Sequence, residues 1–206
     1  ISEAHIAHYN NYNKIEMEVF RNGELIGFSN YFFYREGKKT IIVNKTKFSV
    51  KILGTTIFKI DGYSEEKYLK NQLISFNSTT IQGDKKKFVN LVYDEELDKF
   101  IIKGSSYNGK ASIDNMIGNW WNHKILQANS QISPISGSIK KQIVTFVGKE
   151  KININDKEYL TKHFKLKSKN QNLPDDKKLD FDIWLDHKKG FIIKISYERM
   201  GKWEYI

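Results

Sequence analysis

A chain of 206 residues, 39% hydrophobic and 14% aromatic, carries enough apolar surface for a sizeable core, which excludes a disordered polymer. With no cysteine, it has no thiolate metal site, catalytic cysteine or disulfide, and no apolar run reaches the roughly 18 residues of a membrane helix, so a soluble chain is expected. The formal charge is +10, yet only Arg21, Arg35 and Arg199 are arginines; bidentate reading of bases and phosphates leans on arginine, and nucleic acid is not expected as a partner.

The lysines cluster where turns fall: Lys38-Lys39, Lys85-Lys86-Lys87, Lys177-Lys178 and Lys188-Lys189. Such runs are solvated tips more often than binding faces. Their other use is a basic rim that attracts anionic ligands or lipid headgroups. The sequence opens Ile1-Ser2-Glu3 without an initiator Met, and the expectation drawn from this is an exported chain, periplasmic or secreted, with a signal peptide removed. Residues 1–13 are expected to be a loose segment before a single β-barrel-like domain over 14–206.

Residues 14–21, "KIEMEVFR", run through Asn22-Gly23 into "ELIGFSNYFFY". Asn-Gly between alternating runs is a strong hairpin signal, because both residues accept positive φ. Pairing Arg21 with Glu24 puts Val19 opposite Ile26 and Met17 opposite Phe28. The next turn, "EGKK", read with Glu36 opposite Thr40, sets Tyr34 on Ile42, Phe32 on Asn44, Asn30 on Thr46, Phe28 on Phe48 and Ile26 on Val50. A shift by one would bring Lys47 opposite Phe28, so the pattern favours the first register. The run from 40 to about 63 is too long for one straight strand, and Gly54 marks a bulge or sharp bend.

Strands are expected at 73–82, 86–93, 98–104 and 109–113. Ile117, Trp121, Ile125 and Ala128 then recur at helical spacing behind the capping candidates Asp114 and Asn115, which predicts a short helix over about 115–128. Further strands follow at 138–147, 150–154, 158–168, 179–186, 190–199 and 202–206. In the last hairpin, Asp186 opposite Gly190 pairs Ile183 with Ile193 and Asp182 with Lys194. The fold class is mainly β: a curved antiparallel meander forming a barrel or half-barrel, with the helix as plug or lid.

Polar residues on a face that should be core are the informative signal. Asn30, Asn44 and Thr46 fall there among Phe28 and Phe48, and a cavity lined by aromatics with a few convergent polar groups is the form a small-ligand site takes. The alternative is a wet rim or buried water. Trp120 and Trp121 would add to the wall, or fill the sheet as a plug. His123, beside the Trp pair, is a weak candidate for an acid or base. His5 and His8 have i,i+3 spacing, but no second cluster is visible near them, so no metal site is expected. No cofactor loop or nucleophile elbow is present. Asp180, Asp182, Trp184 and Asp186 share a strand face resembling a sugar-binding strip, for which a solvated outer face is the commoner explanation.

The stretches "VFRNGELIGFSNYFF", "FSVKILGTTIFK", "ISFNSTT", "NWWNHKIL" and "FDIWLD" together resemble an uncharacterised family of exported bacterial β-rich proteins. The resemblance spans most of the chain and implies an envelope location and a curved antiparallel sheet; it assigns no residue a role. By fold analogy the arrangement is similar to periplasmic lipoprotein carriers and lipocalins. The expected function is therefore a binding protein for an apolar or amphipathic, lipid-like small ligand, with Phe28, Phe48, Trp120 and Trp121 as walls and Asn30, Asn44 and Thr46 as polar contacts. An enzyme of hydrolase or isomerase type using His123, or an interaction module docking on an envelope protein or membrane surface, are the alternatives.

Overall fold

The computed structural model describes residues 6–206. The first half of the chain is a run of antiparallel hairpins: β1 (Lys14–Arg21), β2 (Glu24–Glu36), β3 (Lys39–Ile52), β4 (Thr55–Leu69), β5 (Gln72–Gln82), β6 (Lys85–Asp94), β7 (Lys99–Gly104) and β8 (Asn108–Ser112). Two short strands, β9 (Met116–Ile117) and β10 (Ser130–Ile132), flank a 3-10 turn over His123–Leu126. The second half comprises β11 (Ile139–Ile154), β12 (Lys157–Ser168), β13 (Asp180–Asp186), β14 (Ile192–Glu198) and β15 (Lys202–Tyr205).

All fifteen strands form one curved sheet, in the order β8-β7-β6-β5-β4-β3-β2-β1-β15-β14-β13-β12-β11-β10-β9. Strand β15 returns to pair with β1, which joins the two halves. The sheet does not close. Its two ends, β8 and β9, are neighbours in sequence, and the seam is bridged by the turn at 133–138: Ser106 N donates to Ser136 O at 2.9 Å, and Ser78 Oγ donates to Pro134 O at 2.6 Å. Gly104 permits this approach, since a Cβ there would lie 2.5 Å from Ser136 O.

Several sequence expectations are corrected. Asn22 and Gly23 do form the first turn, at φ 51° and 82°, and Arg21 does face Glu24. A β-bulge then intervenes, so that Val19 pairs with Gly27 and Met17 with Ser29. One extra residue turns every later side chain of β2 over. Ser29, Tyr31 and Phe33 consequently point inward, while Phe28, Asn30 and Phe32 lie on the convex face. The β2–β3 register shifts to match: Glu36 pairs with Lys39 across a two-residue turn with Gly37 at φ 58°, so Phe28 does face Lys47.

Gly54 is a full reversal rather than a bend; with Leu53 at φ 48° and Gly54 at φ 80°, it closes the β3–β4 hairpin. Segments 138–147 and 150–154 are one strand, β11, with a register shift between Phe146 and Gly148. In the last hairpin Ile183 pairs with Ile195 and Trp184 with Lys194, while Asp182 pairs with Ser196. The helix over 115–128 reduces to the four-residue 3-10 turn, capped by the Asn122 side chain, which accepts from Lys124 N. Ahead of β1, Ile6 and Tyr9 are buried, and Tyr9 stacks on Phe33 and is edge-on to Trp121.

Candidate functional site

The antiparallel registers of β2 to β6 arrange the concave face in bands. Towards the β3–β4 turn, Val50 pairs with Phe58 and Phe48 with Ile60. Next come Ser29, Thr46, Gly62 and Thr80, ending on Lys87. The third band is Tyr31, Asn44, Ser64 and Ser78, and the fourth is Phe33, Ile42, Glu66 and Phe76. Bands of small polar side chains between bands of large ones leave space that the core does not fill. The result is a cavity of about 660 Å³. Trp203, Tyr197 and Tyr205 line it from the facing strands, Pro134 and Ile135 from the seam, and Asn119 and Trp120 from below.

The polar bands are ordered by hydrogen bonds. Ser29 Oγ and Thr46 Oγ1 lie 2.7 Å apart, Asn44 Nδ2 donates to Ser29 Oγ at 3.2 Å, and Thr46 Oγ1 donates to Asn44 Oδ1 at 2.9 Å. The Ser64 and Thr80 hydroxyls have no protein partner among the described residues. The two hydroxyls are thus free to bond a guest's oxygens, as the polar groups of small-ligand sites do.

Beneath the cavity lies Glu66, 2% exposed. Tyr68 Oη donates to its Oε2 at 2.7 Å, Trp121 Nε1 donates to its Oε1 at 3.0 Å, and Asn119 Nδ2 also donates to Oε1. Burial pushes the carboxyl up to about 7, against the two ring donors, which favour its charged form. Trp121 is 1% exposed and edge-on to Tyr9, Phe33 and Tyr68. It seals one end of the sheet; Trp120, half-buried and edge-on to Phe181 at 5.0 Å, forms the cavity floor.

Of the residues singled out in the sequence, Asn44, Thr46, Phe48 and Trp120 line the cavity. Trp121 belongs to the core below it. Phe28 and Asn30 are on the convex face, where Phe28 is 39% exposed and Asn30 Oδ1 accepts from Met17 N at 3.2 Å. His123 is not among the described residues lining the cavity; its Nδ1 lies 2.8 Å from Tyr9 Oη, and burial with nearby His8 and Lys124 holds its imidazole down to about 4. His5 lies outside the described residues. The "DFDIWLD" carboxylates are engaged on the outer face: Lys165 Nζ reaches Asp180 and Asp182 at 2.7 Å each, and Asp182 also meets His163 at 2.8 Å.

Sequence reading missed Ser29, Tyr31, Ser64, Ser78, Thr80 and Trp203. Ser64, Ser78 and Thr80 had a usable signal, since they share strand parity with the buried Ile60, Tyr68 and Phe76. Ser29 and Tyr31 had none, because the bulge that turns them inward is not written in the alternation.

Residues 17–206 match the family described as Domain of unknown function (DUF6134). The chain belongs to this family. No curated protein is similar enough to match. Among solved structures, this DUF6134 chain is similar to the crystal structure of a beta-barrel-like protein of domain of unknown function DUF1849 from Brucella abortus, with a TM-score of 0.62 over 93% of each chain at 7% identity. At that identity the likeness concerns the fold alone, which is β-barrel-like.

Proposed function

We propose that this DUF6134 protein is a binding protein that holds an apolar or amphipathic, lipid-like small molecule in its concave cavity. The observation that carries the reading is the unfilled space of about 660 Å³ between two bands of small polar side chains and a wall of aromatic ones. That volume lies within the range of small-molecule sites, which pair apolar walls with a few convergent polar groups. Phe48, Phe58, Ile60 and Trp203 form an apolar cluster along this wall, suited to a hydrocarbon portion. An envelope location belongs to the same proposal.

Native mass spectrometry of the purified protein, followed by organic extraction, tests the reading. A discrete extra mass released on denaturation, or stoichiometric uptake from a lipid mixture, is the expected result. An apo mass with no uptake would overturn it.

A further inference from the structure

The hydroxyl band of the cavity ends in a cation. Thr80 pairs with Lys87, which places the lysine in the same cross-strand row as Ser29, Thr46 and Gly62, and Lys87 lines the cavity. Arg21 and Arg199 line it too. Their guanidinium groups are held by main-chain carbonyls: Arg21 donates to Met200 O, and Arg199 donates to Asp175 O at 2.9 Å and Lys178 O at 3.2 Å. Neutral acceptors orient these groups and leave their charge uncompensated.

Half-buried Lys140 adjoins the group. Burial and the positive charges of Arg199 and Lys87 lower its pKa, with Asp176 opposing. Asp176 is the acidic residue of the cavity lining, and neither Lys87, Lys140 nor Arg199 forms an ion pair with a carboxylate among the described residues. Like charges gathered beside a cavity repel one another, and an anion seated among them would relieve that repulsion.

We propose that the ligand of this cavity carries an anionic, oxygen-rich head, a phosphate or carboxylate, seated between Lys87 and Arg199 at the end of the hydroxyl row, with its apolar portion along Phe48, Phe58 and Trp203. The proposal rests on the cavity reading above and adds the charge of the guest. Thr80 and Ser64 donate to the head's oxygens, and the cations supply charge-assisted bonds that a neutral head would not use.

Titration calorimetry with dodecyl phosphate, dodecanol and inorganic phosphate, below micellar concentrations, separates the possibilities. Dodecyl phosphate is expected to bind at least about tenfold tighter than dodecanol, as one charge-assisted bond provides. In Lys87→Gln the two affinities should converge to within about threefold. Lys87 is only half-buried, and an unchanged melting temperature would establish that the variant folds. Equal affinity for dodecyl phosphate and dodecanol in the wild type would overturn the anionic head while leaving the cavity reading intact. Inorganic phosphate binding as tightly as dodecyl phosphate would overturn the amphiphile. Binding of none of the three would overturn the cavity reading, and this proposal with it.

Discussion

Trp121 donates its indole N–H to Glu66 Oε1 at 3.0 Å across 55 residues of sequence, deep in the core. The bond ties the irregular segment after β9 to the C-terminal end of β4 and fixes the plug under the cavity. Removing the ring would leave a large void and deprive a buried carboxyl of a donor. Trp121→Ala should therefore destabilise by about 3–5 kcal/mol. Trp121→Phe should lose about 1–3 kcal/mol, the range for a buried acceptor left short of a donor. Urea unfolding measures both; a loss under about 1 kcal/mol for the alanine variant would mean that the ring is not a structural plug.

Glu66 gives the fold a pH dependence with a definite sign. Its folded pKa, raised to about 7 from an ordinary 4.5, means that the native state holds the proton more tightly than the unfolded chain. Its stabilisation is complete below about pH 4.5 and is lost as the pH rises through about 7, amounting to about 3 kcal/mol. Glu66→Gln should remove this alkaline loss. A chemical-denaturation series from pH 5 to 9 should show the variant gaining on the wild type as pH rises, and parallel profiles would refute the assignment.

His123 works in the opposite direction. Its folded pKa is lowered to about 4, so its contribution is present above the ordinary 6.5 and is lost as the pH falls towards 4. The two residues thus partly offset one another between about pH 4.5 and 6.5 in the wild type. The His123 backbone N–H donates into Tyr9 Oη at 3.3 Å, which leaves the phenol proton for Nδ1. By NMR, the His123 ring should stay neutral, with its proton on Nε2, down to about pH 5; protonation near 6.5 would contradict this arrangement.

Gly27 carries the bulge that decides which face of β2 points inward. A Cβ there would overlap the Lys47 carbonyl oxygen and crowd the Phe48 Cα, 2.6 Å away. Gly27→Ala should destabilise by about 1–3 kcal/mol, as overpacking does. Gly62 makes the contrast: its nearest prospective contact is Thr80 Oγ1 at 3.6 Å, so Gly62→Ala should cost no more than about 0.5 kcal/mol. Thermal melts of the two variants side by side provide the check, and equal losses would remove the special role given to Gly27.

The strand order follows from sequence because hairpin turns and alternation are local. Asn22-Gly23 and Gly37 announce reversals through their own conformational freedom. Inside "FSNYFFYRE", however, Phe28, Tyr31, Phe32, Phe33 and Tyr34 are aromatic on both faces. Hydrophobicity therefore cannot choose a register, and the Gly27 bulge decides it through packing against Lys47 and Phe48. Leu53 at positive φ hid the β3–β4 turn, since a leucine seldom takes that conformation. The helical spacing of Ile117, Trp121 and Ile125 arises because all three reach the core from a nonregular path. Asn119 and Asn122 fall off that spacing, yet both are buried, one on Glu66 and the other capping the 3-10 turn. Asn44, Thr46 and Phe48 lie on the inward face because β3 alternates cleanly, whichever partner it meets.

The central claim is that the space above Trp120 is a binding cavity and not a packing defect. Gly62 sits in its wall without a positive φ and with room for a side chain, so Gly62→Leu should occupy the space and leave the sheet intact. The deciding measurement is the binding isotherm of a fluorescent fatty-acyl probe on wild type and Gly62→Leu, at matched folded concentration. The account predicts saturable one-to-one binding to the wild type, and a loss of at least about tenfold in the leucine variant with its melting temperature held or raised. Equal binding to both proteins, or none to either, would contradict it.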